Sequence, residues 1–237
     1  MIDMQALPEK INQWLAHQHG ERYKIASLNS ANGGYSNITL VGELTHHQGK
    51  GHSGIVVRIQ PEGAAVFPDC DVQSQYQTMH LLRQAGLPVP GLLGLEMDAS
   101  ILGAPFFVMS RVEGQVPNEN PLYHLEGWFH DLKPDAIKQC WFSGIEGLAK
   151  LAKLDWQSAG FQFLFPPKEQ SALEHQIHYY ENMLRWSEQL SGKRYALLDR
   201  CLNWLHANQP TSDALSLSWG DAKLGNCVFQ NGQLTGM

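Results

Sequence analysis

Apolar positions along the chain switch between two periods, and the switch divides it. Ile11, Trp14 and Leu15 form a short helical stripe that ends near Gly20. Over 23–44 the pattern becomes strand-like, broken by Asn32-Gly33-Gly34, which predicts two antiparallel strands with a glycine turn between them. The polar stretch 46–53 reads as a loop, and the β-branched run GIVVRI at 54–59 as a strand. Val72, Tyr76, Met79 and Leu82 or Arg83 recur at helical spacing until Gly86, Leu87 and Pro88 stop the helix. Two further strands are predicted, around 91–97 and 105–112.

Beyond that point helical periodicity takes over, across 134–156, 168–190 and 193–207. Ile137, Trp141, Ile145, Leu148 and Ala152 make one stripe that is expected to be a core face. Trp141, Trp186 and Trp204 are accordingly given no ligand role. After Pro210 comes a loop, then the apolar run Cys227-Val228-Phe229, then Asn231-Gly232, a strong hairpin signal. The composition shifts near Glu113-Gly114, so residues 1–113 are expected to be β-rich and 114–237 α-rich, an α+β fold.

Composition narrows the partners. An apolar fraction of 43% with 17% charged residues fits a folded chain rather than a disordered one. A net charge of −6 gives no general attraction to nucleic acid or to an anionic membrane. No run approaches the roughly 18 apolar residues of a membrane helix, and the first residues show no signal-peptide core. Cys70, Cys140, Cys201 and Cys227 are scattered without a CxxC pair, which points to reduced thiols in a cytoplasmic protein and to no clustered zinc ligands. His17, His19, His46 and His47 lie in polar segments and read as surface histidines.

The segment richest in chemistry is SWGDAKLGNCVFQNGQLTGM, at 218–237. It sets Asp221 five residues before Asn226, in a loop followed at once by a hairpin. Phosphoryl transfer calls for such a pair: a carboxylate that takes the acceptor hydroxyl proton, and an amide oxygen that holds Mg²⁺ against the phosphates. By itself the spacing is a weak signal that ordinary turns explain better, because Asp, Gly and Asn are common turn residues.

The flanking residues say more. Gly220-Asp221, then Leu224-Gly225-Asn226, an apolar strand, the Asn231-Gly232 turn and a strand ending Thr235-Gly236 resemble the catalytic loop of the aminoglycoside phosphotransferase and choline-kinase-like family. The resemblance runs in order through about 25–237, and its LGAPFFVM and WGDAKLGN segments look nearest to the acyl-CoA-dehydrogenase-associated and choline-kinase-like branches. It implies a protein-kinase-like two-lobed fold, with 1–113 as the nucleotide-binding lobe and 114–237 as an incomplete catalytic lobe. It also implies an ATP-dependent phosphotransferase acting on a hydroxyl of a small molecule, with ATP and Mg²⁺ as cofactors.

Residue by residue, the resemblance makes Asp221 the base and Asn226 the metal ligand. Lys223, two residues after that base, is placed to neutralise the migrating phosphoryl group, although a solvated loop lysine is an equal reading. Gly33, Gly34, Ser36 and Asn37 would cover the phosphates, Arg58 would meet them from its strand, and Met109, Ser110 and Val112 would seat the adenine. Two positions depart from the family: Gln75 stands where a glutamate usually pairs with the strand cation, and Trp219 stands where His usually precedes Gly-Asp. The family's second metal-binding carboxylate is expected about two residues after Gly236-Met237. The 237 residues are therefore expected to be a fragment with little activity of its own. The alternatives are a nucleotide-binding pseudokinase acting through protein interactions, and a plain globular domain whose Gly-Asp and Asn-Gly are turns only. The acceptor and the oligomeric state are not fixed by these residues.

Overall fold

The predicted strands assemble into one antiparallel sheet. In the computed structural model, which describes residues 5–20, 22–31, 38–46, 52–61, 71–165, 171–211 and 214–237, five strands take part. They are β1 (Tyr23–Ser30), β2 (Ile38–His46), β3 (His52–Ile59), β4 (Leu92–Glu96) and β5 (Phe106–Ser110), in the order β1-β2-β3-β5-β4. Six helices accompany them: α1 (Leu7–His19), α2 (Val72–Gln84), α3 (Ala99–Leu102), α4 (Pro134–Ala152), α5 (Ala172–Ser191) and α6 (Ala196–Ala207). A separate hairpin, β6 (Val228–Gln230) and β7 (Gln233–Gly236), follows.

The period of two in the strands sorts the sheet into two faces. Ile55, Val57, Ile59, Phe106 and Val108 point into a core with Leu7, Ile11, Trp14 and Leu15 of α1. The alternate residues Val56, Phe107 and Met109 pack with Val72, Tyr76 and Met79 of α2 on the opposite face. Phe106 and Phe107 are both fully buried, which stabilises each face by about 1.5–3 kcal/mol per ring relative to exposure. Arg58 falls in the same alternation as Val56, so the strand delivers its cation to the α2 face.

Each of these helices is tied down at a definable place. Asn12 of α1 accepts from the Ile25 N–H at 2.6 Å, and Trp14 donates its indole N–H to Glu96 at 2.9 Å. Asp71 caps α2 by accepting from the Gln73 and Ser74 amides at 2.8 and 3.2 Å, a cap worth about 1 kcal/mol.

The stripe on α4 behaves differently from expectation. The helix buries Cys140, Gly147 and Leu151, whereas Trp141, Ile145 and Leu148 are 43%, 53% and 38% exposed. The reason lies in the β6–β7 hairpin, which seats on one edge of the apolar stripe. A Cβ on Gly147 would come within 2.4 Å of Leu234 Cδ2, so hairpin and helix approach through that glycine. The Ser143 hydroxyl accepts from the Leu234 N–H at 2.7 Å, fixing the same edge.

The hairpin also joins the end of the sheet region. Gln115 and Phe229 exchange both backbone bonds, at 2.8 and 2.9 Å, and Thr235 Oγ1 donates to the Glu113 carbonyl at 3.0 Å. Met237 N–H donates to the Pro88 carbonyl at 2.9 Å. Among the described residues no helix is long and apolar enough to cross a membrane.

Candidate active site

The loop before the hairpin is built from backbone turns. The Asp221 N–H donates to the Trp219 carbonyl, Lys223 N–H to the Asp221 carbonyl and Asn226 N–H to the Lys223 carbonyl, each at 3.0 Å. A short 3-10 turn, Leu224–Asn226, carries the chain into β6. Leu224 and Cys227 are buried beneath it with Phe129, Cys140 and Phe229. Trp219 packs against both this cluster and the neighbouring one around Leu87, Leu151 and Phe161, so the residue standing in the family's histidine position braces the loop from inside.

On that platform the side chains converge. Asn226 Nδ2 donates to Asp221 Oδ2 at 3.0 Å and to the Asp221 carbonyl at 2.8 Å. These bonds orient the amide with its nitrogen towards the carboxylate, so Oδ1 is the atom left for a cation. Lys223 Nζ lies 3.6 Å from Asp221 Oδ2 and 2.7 Å from Glu119 Oε1. The bond from Glu119, then the charge of Asp221, hold the Lys223 ammonium above its ordinary pKa, so it is charged throughout the neutral range. Asp221 itself is 74% exposed, open to an incoming hydroxyl. With Glu119 and Asp221 facing one lysine, the local charge is negative and suits a hard cation held by oxygen.

Glu119 is the member that sequence reasoning missed. It sits in the irregular segment between β5 and α4 and packs closely under Gly225, where a Cβ would lie 2.6 Å from its Oε1. No spacing or periodicity marks it. The signal is a long-range contact, visible only once the chain has folded.

Across the sheet, Arg58 donates to Gln75 Oε1 at 3.2 Å, so the two positions paired by the resemblance do meet. Burial lowers the guanidinium pKa, and its Nε is buried with no hydrogen-bond partner among the described residues. A buried donor left unmatched is a binding site for an anion oxygen or a standing cost of about 1–3 kcal/mol. Nearby, Met109 is buried against α2, and Ser110 is committed in part: its N–H donates to the Gly91 carbonyl at 2.7 Å, and its hydroxyl accepts from the Gly91 N–H at 2.8 Å. Its contribution to a base therefore narrows to the carbonyl. The Val112 N–H makes no hydrogen bond among the described residues. Gly33, Gly34, Ser36 and Asn37 lie outside the described residues.

A shallow cavity of about 230 Å³ adjoins the loop, lined by Tyr123, Trp141, Ile145, Leu148 and Trp219 and bounded by Ala222 and Lys223. The exposed stripe of α4 is thus one wall of a trough beside the candidate base.

Comparisons with known proteins bear on the fold and the family. The mouse protein acyl-CoA dehydrogenase family member 10 is 26% identical over 196 residues, which is 83% of this chain and 17% of that protein. Human acyl-CoA dehydrogenase family member 11 is 25% identical over 240 residues, 96% of this chain and 27% of that one. The chain therefore spans roughly a quarter or less of the curated relatives it matches. A Ralstonia eutropha protein assigned as an aminoglycoside phosphotransferase shares the fold. Its crystal structure superposes with a TM-score of 0.67 at 21% identity, covering 100% of this chain and 64% of that one. The model of the phosphotransferase enzyme family matches residues 31–237, nearly the whole chain, and with the α+β protein-kinase-like fold this places the chain in the phosphotransferase enzyme family.

Proposed function

We propose that the chain carries the nucleotide-binding and phosphoryl-transfer centre of an ATP-dependent kinase acting on a hydroxyl of a small molecule. The observation that carries the reading is the Asp221–Asn226 lock: one side-chain bond of 3.0 Å makes the base and the cation-binding amide a single unit. Asp221 takes the acceptor hydroxyl proton while that oxygen bonds to the γ-phosphorus and the bond to ADP breaks. Arg58 offers its buried Nε, unmatched among the described residues, to the phosphates, Lys223 neutralises charge near Asp221, and the Ser110 carbonyl and Val112 N–H would meet the edge of the adenine beside Met109. Gly33, Gly34, Ser36 and Asn37 are assigned to the phosphates on the resemblance alone. Asn226 Oδ1 would hold Mg²⁺, which neutralises developing phosphate charge. In this reading 1–113 is the nucleotide lobe and 114–237 the catalytic lobe. The free thiols of Cys140, Cys201 and Cys227 fit a cytoplasmic setting.

The trough beside Lys223 is walled mainly by aromatic and aliphatic side chains, which suits an acceptor with an apolar portion better than a polycation. A second reading, a pseudokinase that binds nucleotide and acts through protein contacts, is favoured by one observation. Arg58 is met by a neutral amide rather than a carboxylate.

Calorimetric titration of ATP into the 237-residue chain tests the proposal. The expected result is 1:1 binding that tightens with Mg²⁺, with that gain lost in Asn226→Ala. No ATP binding in the presence of Mg²⁺ overturns both readings, and binding without transfer in a longer chain selects the second.

A further inference from the structure

We infer that the α5–α6 hairpin carries a transition-metal site of the Zn²⁺ class, formed by His178, Glu181 and His206. The sequence does not single it out, because His206 lies 25 residues beyond Glu181 and no cysteine pair marks the group. Folding brings them together: one donor atom from each lies within 4.8 Å of the others.

The residues occupy facing stripes of two antiparallel helices. On α5, His178, Glu181, Arg185 and Glu188 follow one another at spacings of three and four, along one line of the helix. On α6, Asp199 and His206 lie seven residues apart, two turns along the same side. The stripes are clamped at one end by charge. Arg185 reaches Asp199 at 2.6 Å and Glu188 at 2.9 Å, and Arg194 reaches Glu188 at 3.2 Å. At the other end the two imidazoles and the Glu181 carboxylate face one another.

Two distances bear on the ligand. His206 Nε2 stands 3.4 Å from Glu181 Oε2. That is long for a charge-assisted hydrogen bond, but it matches the edge of a tetrahedron around a metal with bonds of about 2.0–2.1 Å, an edge of about 3.3 Å. The His178 and His206 rings have centroids 5.5 Å apart and are tilted by 46°, so they converge without stacking. With all three donors within 4.8 Å of one another, no separation exceeds the tetrahedral edge by more than about 1.5 Å, which side-chain rotation of one imidazole can close. The other oxygen of Glu181 is 3.7 Å from Arg185, an outer contact that fixes the direction of the carboxylate.

Charge and ligand type select the metal. Glu181, Glu188 and Asp199 outnumber Arg185 and Arg194, so the seam is net negative before any ion binds. Two imidazoles with one carboxylate suit Zn²⁺ and its neighbours, whereas Mg²⁺ prefers oxygen alone. Three protein ligands leave a fourth position for water. The site involves none of the residues assigned to phosphoryl transfer, so it stands or falls independently of that function.

The test is titration of Zn²⁺ into the 237-residue chain, followed by calorimetry, with Co²⁺ absorption as a spectroscopic check. One high-affinity equivalent is expected. His178→Ala, Glu181→Gln and His206→Ala should each weaken it about tenfold or more, while His17→Ala leaves it unchanged. Circular dichroism establishes that each variant is folded. In the wild type, Zn²⁺ should also slow amide hydrogen exchange across 172–207. Wild-type affinity in the doubly substituted His178→Ala/His206→Ala protein would overturn the inference, as would bound Zn²⁺ that leaves exchange in this segment unaltered.

Discussion

Replacing Arg58 by Met separates a binding role from a structural one, because the two predict opposite signs. The guanidinium is partly buried on β3, donates to Gln75 at 3.2 Å, and holds a buried Nε without a partner among the described residues. Leaving such a donor unmatched costs about 1–3 kcal/mol, while losing the bond to Gln75 forfeits about 0.5–1.5 kcal/mol. Met retains much of the apolar stem beside Val56 and Phe107. The balance is a gain of about 1 kcal/mol in the free protein, or about 2–4 °C in Tm for a chain of this size. With nucleotide the sign reverses. At 100 times its Kd, Mg-ATP stabilises the wild type by about 2.7 kcal/mol. Loss of one charge-assisted contact, worth about 1.5–3 kcal/mol, should cut the nucleotide-induced Tm shift by half or more. Differential scanning calorimetry with and without Mg-ATP reads both effects in one pair of scans. A variant that is less stable when free yet shows the full nucleotide shift would refute the reasoning and make Arg58 a structural residue.

Other predictions follow from the same geometry. Asp221→Asn should bind Mg-ATP within about twofold of wild type, and in any chain length that shows transfer should lower kcat by about 10²–10⁴-fold, as single-turnover kinetics would show. Gly114→Ala should cost about 2–4 kcal/mol in urea titrations, because φ is +139° there and a Cβ would meet the Phe229 carbonyl oxygen at 2.6 Å. In the native state a thiol reagent should label Cys201 and spare Cys140 and Cys227, which are buried. Burial pushes the Cys227 thiol up to about 11 from 9.0. The folded state therefore keeps that proton after the unfolded state has lost it, and stability should fall as pH rises from 9.0 to about 11. Cys227→Ala should flatten that slope, measured by urea titration across the range.

Most of the sheet was legible because short apolar runs and turn residues report it directly: the β-branched run 54–59 falls in β3, 105–112 contains β5, and the Asn231-Gly232 turn sits between β6 and β7. Asn231 takes φ 52° and Gly232 φ 78°, as a two-residue hairpin demands. The α4 stripe was legible as a helix face but not as to what covers it. Periodicity identifies which residues share a side, while Trp141 and Ile145 depend on which neighbour arrives, and the hairpin arrives over Gly147 instead. In the candidate site, Asp221 and Asn226 were singled out from the residues that flank them, and the fold brings the two side chains together at 3.0 Å, whereas Glu119 reaches Lys223 across 104 residues of chain and leaves no local trace. The same holds for His206 against His178 and Glu181. Contacts that exist only through tertiary packing are invisible to a one-dimensional pattern.

The most direct measurement is a crystal structure of the chain with Mg²⁺ and a non-hydrolysable ATP analogue. The phosphates should lie against Arg58 Nε, the cation against Asn226 Oδ1, and the adenine beside Met109 and Val112. A nucleotide seated elsewhere, with Arg58 still turned only to Gln75 and Asn226 free of metal, would contradict the kinase reading.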